Sequence, residues 1–214
     1  MTARCAVLMG FFGLICLQAE IVDRIAATVA KQVIAESEVM EELRVTAFLE
    51  ALPADASPDA KRKALDRLID QNLMRREIVF TRFPLPSQSD LDPLYKQVLE
   101  RFPARAAYLA ELARYGLTDS DIRAHLQWQL MTLRFIEYRF QHGVQLNEAD
   151  IQREYDGFVR KWREEKHTDP PPFDQVHADM EKLARQALVD SALDRWLGEV
   201  RTQNDIIYHK GYEQ

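Results

Sequence analysis

"EIVDRIAATVAKQVIAESEVMEEL" (residues 20–43) passes from strand character to helix character within one stretch. Ile25, Ala27 and Val29 alternate with more polar neighbours, Val33 and Ile34 follow a short polar break, and Ser37 stands where a helix is due. Alternation with period two reads as a half-buried strand, so the stretch opens with a hairpin, turning at Ala30-Lys31-Gln32. A lone two-stranded hairpin is marginal in water. The other strand-like segment lies at the far end of the chain, where Asp205 to His209 is β-branched and aromatic. The simplest arrangement joins the two ends. It is a mainly α protein, a single helical domain with a small β-sheet made by the N-terminal hairpin and a C-terminal strand.

Between the strands the punctuation is helical. Ser37 is an expected N-cap, with Glu38, Glu41 and Glu42 near the positive end of the helix that follows. Ser57-Pro58 starts a second helix, with Pro at the first position where its missing N–H costs nothing. Ala64, Leu65, Leu68, Ile69 and Leu73 give that helix a broad apolar face. Ser89 is expected to cap a short helix, and Pro103 to open another that ends at Gly116. "TDSD" (118–121) has capping-box spacing and starts a long helix over 119–142. Asn147 caps a helix to about Lys166, "TDPPP" (168–172) is a stiff connector, and a last helix spans 173–203.

The first residues set the compartment. Residues 1–19, "MTARCAVLMGFFGLICLQA", carry Arg4, then an apolar run from Cys5 to Leu17, then Ala19. That is the layout of a secretory signal peptide cleaved after Ala19, with a retained N-terminal anchor as the alternative. Both cysteines, Cys5 and Cys16, lie in this leader, so residues 20–214 must be stabilised by their core. With 28 basic and 34 acidic side chains the net charge is −6, and no basic stripe is present, which argues against nucleic acid as a partner.

The hairpin-to-helix step "IVDRIAATVAKQVIAESEV" (21–39) resembles the start of the N-terminal module of SurA-type periplasmic chaperones, with Glu36-Ser37-Glu38 as its acidic-Ser-acidic step. Looser similarity continues through "RLIDQNLMRREI" (67–78), "LARYGLTDSDIRAHLQWQLM" (112–131), "LNEADIQREYDGF" (146–158) and "LVDSALDRWLGEVR" (188–201). Two departures stand out. The turn carries Ala-Lys-Gln where the family uses Asn or Gly, and the parvulin-type isomerase domains expected between the last two helices have only 168–172 to occupy. The resemblance implies a periplasmic, ATP-independent holdase for unfolded secreted or outer-membrane polypeptides, needing no cofactor. The alternatives are a structural or adaptor module with one fixed partner or a homodimer, and a degenerate prolyl isomerase homologue.

Catalytic and metal motifs are absent. His125, His142, His167, His177 and His209 share no metal-ligand spacing, and no Ser lies in a GxSxG context. The informative element is the long helix. Ile122, Leu126, Leu133, Ile136 and Phe140 fall on one face, and Trp128, Met131, Phe135, Tyr138 and His142 on the opposite one. Such a helix has two partners. The second seam is either covered by the final helix or lines a client groove built from Trp128, Met131, Phe135 and Tyr138, since Met and aromatic side chains suit promiscuous contact. The final helix also changes sides: Val176, Met180, Leu183 and Ala187 share one face, and Val189, Leu193, Trp196, Leu197 and Val200 the other. Its halves should meet different surfaces.

Overall fold

The computed structural model describes residues 23–166 and 168–213, apart from the side chain of His142; the leader at 1–19 and His167 lie outside the described residues. Strands β1 (Ile25–Val29), β2 (Gln32–Ala35) and β3 (Ile206–Tyr208) form one antiparallel sheet in the order β2-β1-β3. The end of the chain thus lies on the free edge of its first strand, with Ala27 opposite Tyr208 and Val29 opposite Ile206. Backbone hydrogen bonds extend the seam at both ends. Ala30 N–H donates to the Asp205 carbonyl (2.8 Å), and His209 N–H to the Ala26 carbonyl (2.9 Å).

Two features of the hairpin differ from the simple alternation. Ala26 and Ala27 are both buried while Ile25 is exposed, because the β1–β2 register shifts between Ile25 and Ala27 and changes the phase of the strand. At the turn Ala30 has φ 53°, while Lys31 is outside the left-handed region, the φ pattern of a II′ rather than a I′ turn. A side chain in that region costs about 1–2 kcal/mol. The bond from Ala30 to Asp205 helps to hold it there.

Seven α-helices follow among the described residues: α1 (Glu36–Glu50), α2 (Pro58–Phe80), α3 (Gln88–Glu100), α4 (Arg105–Tyr115), α5 (Asp119–Phe140), α6 (Glu148–Lys166) and α7 (Phe173–Thr202). Most starts follow the sequence signals. Ser57 accepts from Ala60 N–H with Pro58 first in α2; Thr118 and Asp121 cap each other reciprocally; Asn147 Oδ1 accepts from Asp150 N–H (3.1 Å). Gly116 closes α4 at φ 64°, with Leu117 N–H reaching the Leu112 carbonyl (2.9 Å).

Two expected caps move. The N-cap of α1 is Ala35, the last residue of β2, whose N–H donates to the Glu38 carboxylate (2.7 Å); Ser37 instead donates its hydroxyl and its N–H to the Asp23 carboxylate. The helix starts early because Glu36 N–H is already taken by the Arg24 carbonyl (2.7 Å), at the end of the hairpin ladder. In α3 the cap is Ser87 rather than Ser89: Asp90 accepts from Ser87 N–H (2.8 Å) and is also gripped by Arg134 of α5 (2.7 Å). That tertiary contact favours the cap that Asp90 can complete.

The sheet lies on α1 and α2, with Val29, Ile34 and Val39 packed against Leu65, Ile69 and Leu73. The end of α7 and the tail beyond it are tied to α2 by side chains: Arg201 to Asp70 (2.6 Å), the Tyr208 hydroxyl to Asp66 (2.7 Å), and Arg62 over the Tyr208 ring at 3.9 Å. Tyr212 is buried in the same core. A second core joins α1, α3, α4 and the start of α5 around Phe48, Tyr108 and Ile122. The last helix does serve two surfaces. Met180 and Ala184 pack with Ile151 of α6, whereas Leu193, Trp196 and Leu197 pack on α2 and α5. Between α6 and α7 lie only residues 167–172, where the sequence resemblance leads to the expectation of isomerase domains.

Removing residues 204–214 strips β1 of its second partner and empties the Tyr212 site. Thermal or denaturant unfolding should register at least the roughly 3–5 kcal/mol associated with truncating one buried aromatic side chain. An unchanged melting temperature would show that the two ends do not share a sheet in solution.

Candidate polypeptide-binding surface

The second seam of α5 divides at its outer end. Trp128, Met131 and Phe135 are buried with Met74 and Ile78 of α2, and Leu193, Trp196 and Leu197 of α7 pack over them. Tyr138, one turn further on, is 64 % exposed. The structure thus brings three of the four residues singled out from the sequence into one interior cluster and leaves the fourth at its edge. The first seam divides in the same manner: Ile122 and Leu126 are core residues, while Leu133 is exposed.

Tyr138 does not stand alone. Its ring meets that of Phe83 at 5.3 Å between centroids; Phe83 meets Phe135 edge-on at 5.6 Å; Phe135 meets Trp196 at 6.3 Å, and Trp196 meets Phe140 at 5.9 Å. At the end of α2, Val79 and Phe80 are 71 % and 84 % exposed. Phe80 and Trp196 share the wall of a cavity of about 330 Å³ that Leu73, Arg76, Val200 and Asn204 also line. These side chains form an aromatic ledge whose inner rings are packed and whose outer rings face solvent.

The chain geometry at the end of α2 places this ledge. Arg82 takes φ 51°, and Phe83 N–H bonds back to the Ile78 carbonyl (3.0 Å), the six-to-one closure of a Schellman motif. The accompanying contact between Phe83 and Ile78 folds Phe83 onto the cluster, while Phe80 stays exposed at its margin. Arg139 pairs with Glu77 (3.1 Å) and lies 5.2 Å from the Trp196 ring, which closes the ledge with a cation. Phe80 and Phe83 were missed in the sequence. Their signal was present in "VFTRFPL" (79–85), four bulky apolar residues, Val79, Phe80, Phe83 and Leu85, clustered around a helix stop.

Two concentrated polar sites elsewhere are paired internally. Asp119 accepts from the Tyr95 hydroxyl (2.5 Å), the Tyr108 hydroxyl (2.9 Å) and Arg123 (3.0 Å), knotting α3, α4 and α5 together. Burial alone would raise its pKa, but these hydrogen bonds hold the carboxyl below the usual range. Burial, followed by the hydrogen bond to Asp119, pushes the Tyr108 phenol well above its ordinary value. Glu42, on the buried face of α1, pairs with Arg67 (3.2 Å) and lies 3.8 Å from His125. Among the described residues no group of three or more His, Cys, Asp or Glu side chains is placed to hold a metal ion, and no helix is long and apolar enough to cross a membrane.

No family model matches this sequence, and no curated protein matches it. A solved structure is similar in fold. It belongs to a pair from Campylobacter jejuni, the virulence factor PEB4 and the periplasmic protein Cj1289, described as structurally related SurA-like chaperones. The superposition covers 87 % of this chain and 99 % of that one, with a TM-score of 0.52 and 11 % sequence identity. At that identity the likeness is one of fold.

The divided seam has a direct consequence. Phe135→Ala should cost about 3–5 kcal/mol in denaturant unfolding, as for a packed aromatic ring. Tyr138→Ser should change stability by no more than about 0.5 kcal/mol. Equal losses would mean that Tyr138 is as deeply packed as Phe135.

Proposed function

We propose that this chain is an ATP-independent chaperone of the holdase type, exported to the periplasm by cleavage after Ala19. Residues 20–214 form its SurA-like module. Its partners are unfolded polypeptides, outer-membrane precursors foremost. The observation that carries this reading is the aromatic ledge. Phe80 and Tyr138 stay in water although a packed aromatic cluster lies beside them, Phe80 sharing a cavity wall with Trp196 and Tyr138 meeting Phe83. Exposed apolar side chains gathered in one place mark an interaction site. Rings supply large contact area with few rotors to immobilise, which suits reversible capture of many sequences.

The fold likeness to SurA-like chaperones supports the same reading, as does the layout of the leader. The six residues between α6 and α7 leave no room for an isomerase inserted there, which supports a mechanism by binding alone. Met131 and Phe135 act beneath the ledge as packed support, and Tyr138 meets the client. Capture of exposed apolar segments lowers the concentration of aggregating species and requires neither nucleotide nor cofactor.

The purified protein should suppress aggregation of several unrelated unfolded proteins without ATP, and should not accelerate cis–trans isomerisation of a proline-containing peptide. Phe80→Ser combined with Tyr138→Ser should weaken the suppression several-fold while the circular dichroism melt stays close to the parent's. Suppression confined to one protein would favour the adaptor reading. Isomerisation at parvulin rates would overturn the binding-only mechanism.

A further inference from the structure

A second recessed surface lies on the α1–α2 side of α5, away from Tyr138. Two cavities of about 230 and 350 Å³ adjoin there and share Gln71, His125 and Trp128 as common lining. Asp121, His125, Trp128 and Thr132 follow one another along one face of α5, at the three- and four-residue steps of a helix. From Asp121 to Thr132 that face runs for about 16 Å. The two cavities therefore make one lane.

Its ends differ in chemistry. The smaller cavity is lined by Glu38, Glu41, Glu42 and Asp121, with Arg75 as the single basic side chain in its wall. Arg75 is engaged over the Trp128 ring at 4.8 Å, and Glu42 is matched by Arg67. Glu41 has neither a hydrogen bond nor an ion pair among the described residues. Although the residue is exposed, partial burial of its carboxyl, and then the neighbouring Asp121, raises its pKa despite the nearby Arg44. Burial pushes the His125 imidazole below its ordinary pKa, so at neutral pH it adds no positive charge. The larger cavity is bordered by Met74 and Trp128, both largely buried, and by Leu197; the charged side chains in its wall, Arg67 and Asp70, are already paired with Glu42 and Arg201, and the buried Thr132 hydroxyl there has no hydrogen-bond partner among the described residues.

We infer that this lane binds an extended polypeptide segment in which a Lys or Arg side chain lies a few residues from an apolar one, the cation entering the Glu41–Asp121 end and the apolar side chain resting on Trp128, Met74 and Leu197. Charge complementarity selects the occupant. A cation there relieves repulsion among carboxylates, whereas an acidic side chain adds to it. An extended chain advances about 3.3 Å per residue, so the lane holds roughly five residues. A free polyamine would satisfy only the acidic end. The inference rests on the chaperone reading and adds a charge preference to it, through a surface separate from the aromatic ledge.

The test uses a short fluorescein-labelled peptide carrying an Arg followed by a Leu-Phe pair, and the same peptide with Glu replacing Arg. Anisotropy titration at low salt should show the Arg peptide binding about tenfold more tightly, the size expected when an attraction is exchanged for a repulsion near a protein surface. High salt should shrink the preference. Glu41→Lys, at an exposed position, should abolish or reverse it, while the Phe80→Ser/Tyr138→Ser protein should retain it. Equal affinity for the two peptides, or a preference that Glu41→Lys leaves intact, would overturn the lane. Competition by spermidine that removes all binding would also overturn it, because the apolar half would then contribute nothing. Loss of the preference with aggregation suppression unchanged would leave the chaperone reading standing; a retained preference in a protein that suppresses no aggregation would remove that reading and keep the lane.

Discussion

The pairing of β1 with β3 is the constraint on which the remaining structure depends. It joins residues nearly at opposite ends of the chain, and it fixes where α7 must finish. With Tyr208 on Asp66 and Arg201 on Asp70, the second half of α7 is laid along α2 and over the seam of α5. That placement buries Phe135 and stops short of Tyr138. The ledge is the uncovered margin of a seam that the closing helix only partly spans.

Polar groups are placed with similar economy. Asp119 takes three hydrogen bonds at the start of α5, so one carboxylate registers three helices. Glu42 is buried but paired with the more exposed Arg67, and removing Arg67 would leave the carboxylate uncompensated in a poorly solvated site. Such pairs specify an arrangement more than they stabilise it. The long-range ties between the tail and α2 fit the same description, since Arg201, Asp66 and Asp70 remain partly open to water.

Much of this fold was legible in the sequence, for identifiable physical reasons. Period-two alternation exposed the hairpin, and Ser57-Pro58, Thr118-Asp121 and Gly116 marked helix ends because caps satisfy local backbone groups with local side chains. The side change along α7 was visible as a shift in its apolar stripe. The misplaced caps are those decided by distant partners: Arg24 for the start of α1 and Arg134 for Asp90. The ledge was half legible. Periodicity put Trp128, Met131, Phe135 and Tyr138 on one face, but only tertiary coverage separates the buried three from the exposed one. Phe83 joins them through a Schellman closure with Arg82, not Gly, in the left-handed position, and so carried no glycine signal.

The central claim is that unfolded chains are held at the uncovered edge of a closed helical body. Site-directed photo-crosslinking tests it most directly. A photoreactive phenylalanine analogue at position 80 or 138 should capture a denatured client protein, while the same group at position 63, on the charged outer face of α2, should not. Capture that is equal at all three positions, or absent at 80 and 138 while aggregation is still suppressed, would contradict the account.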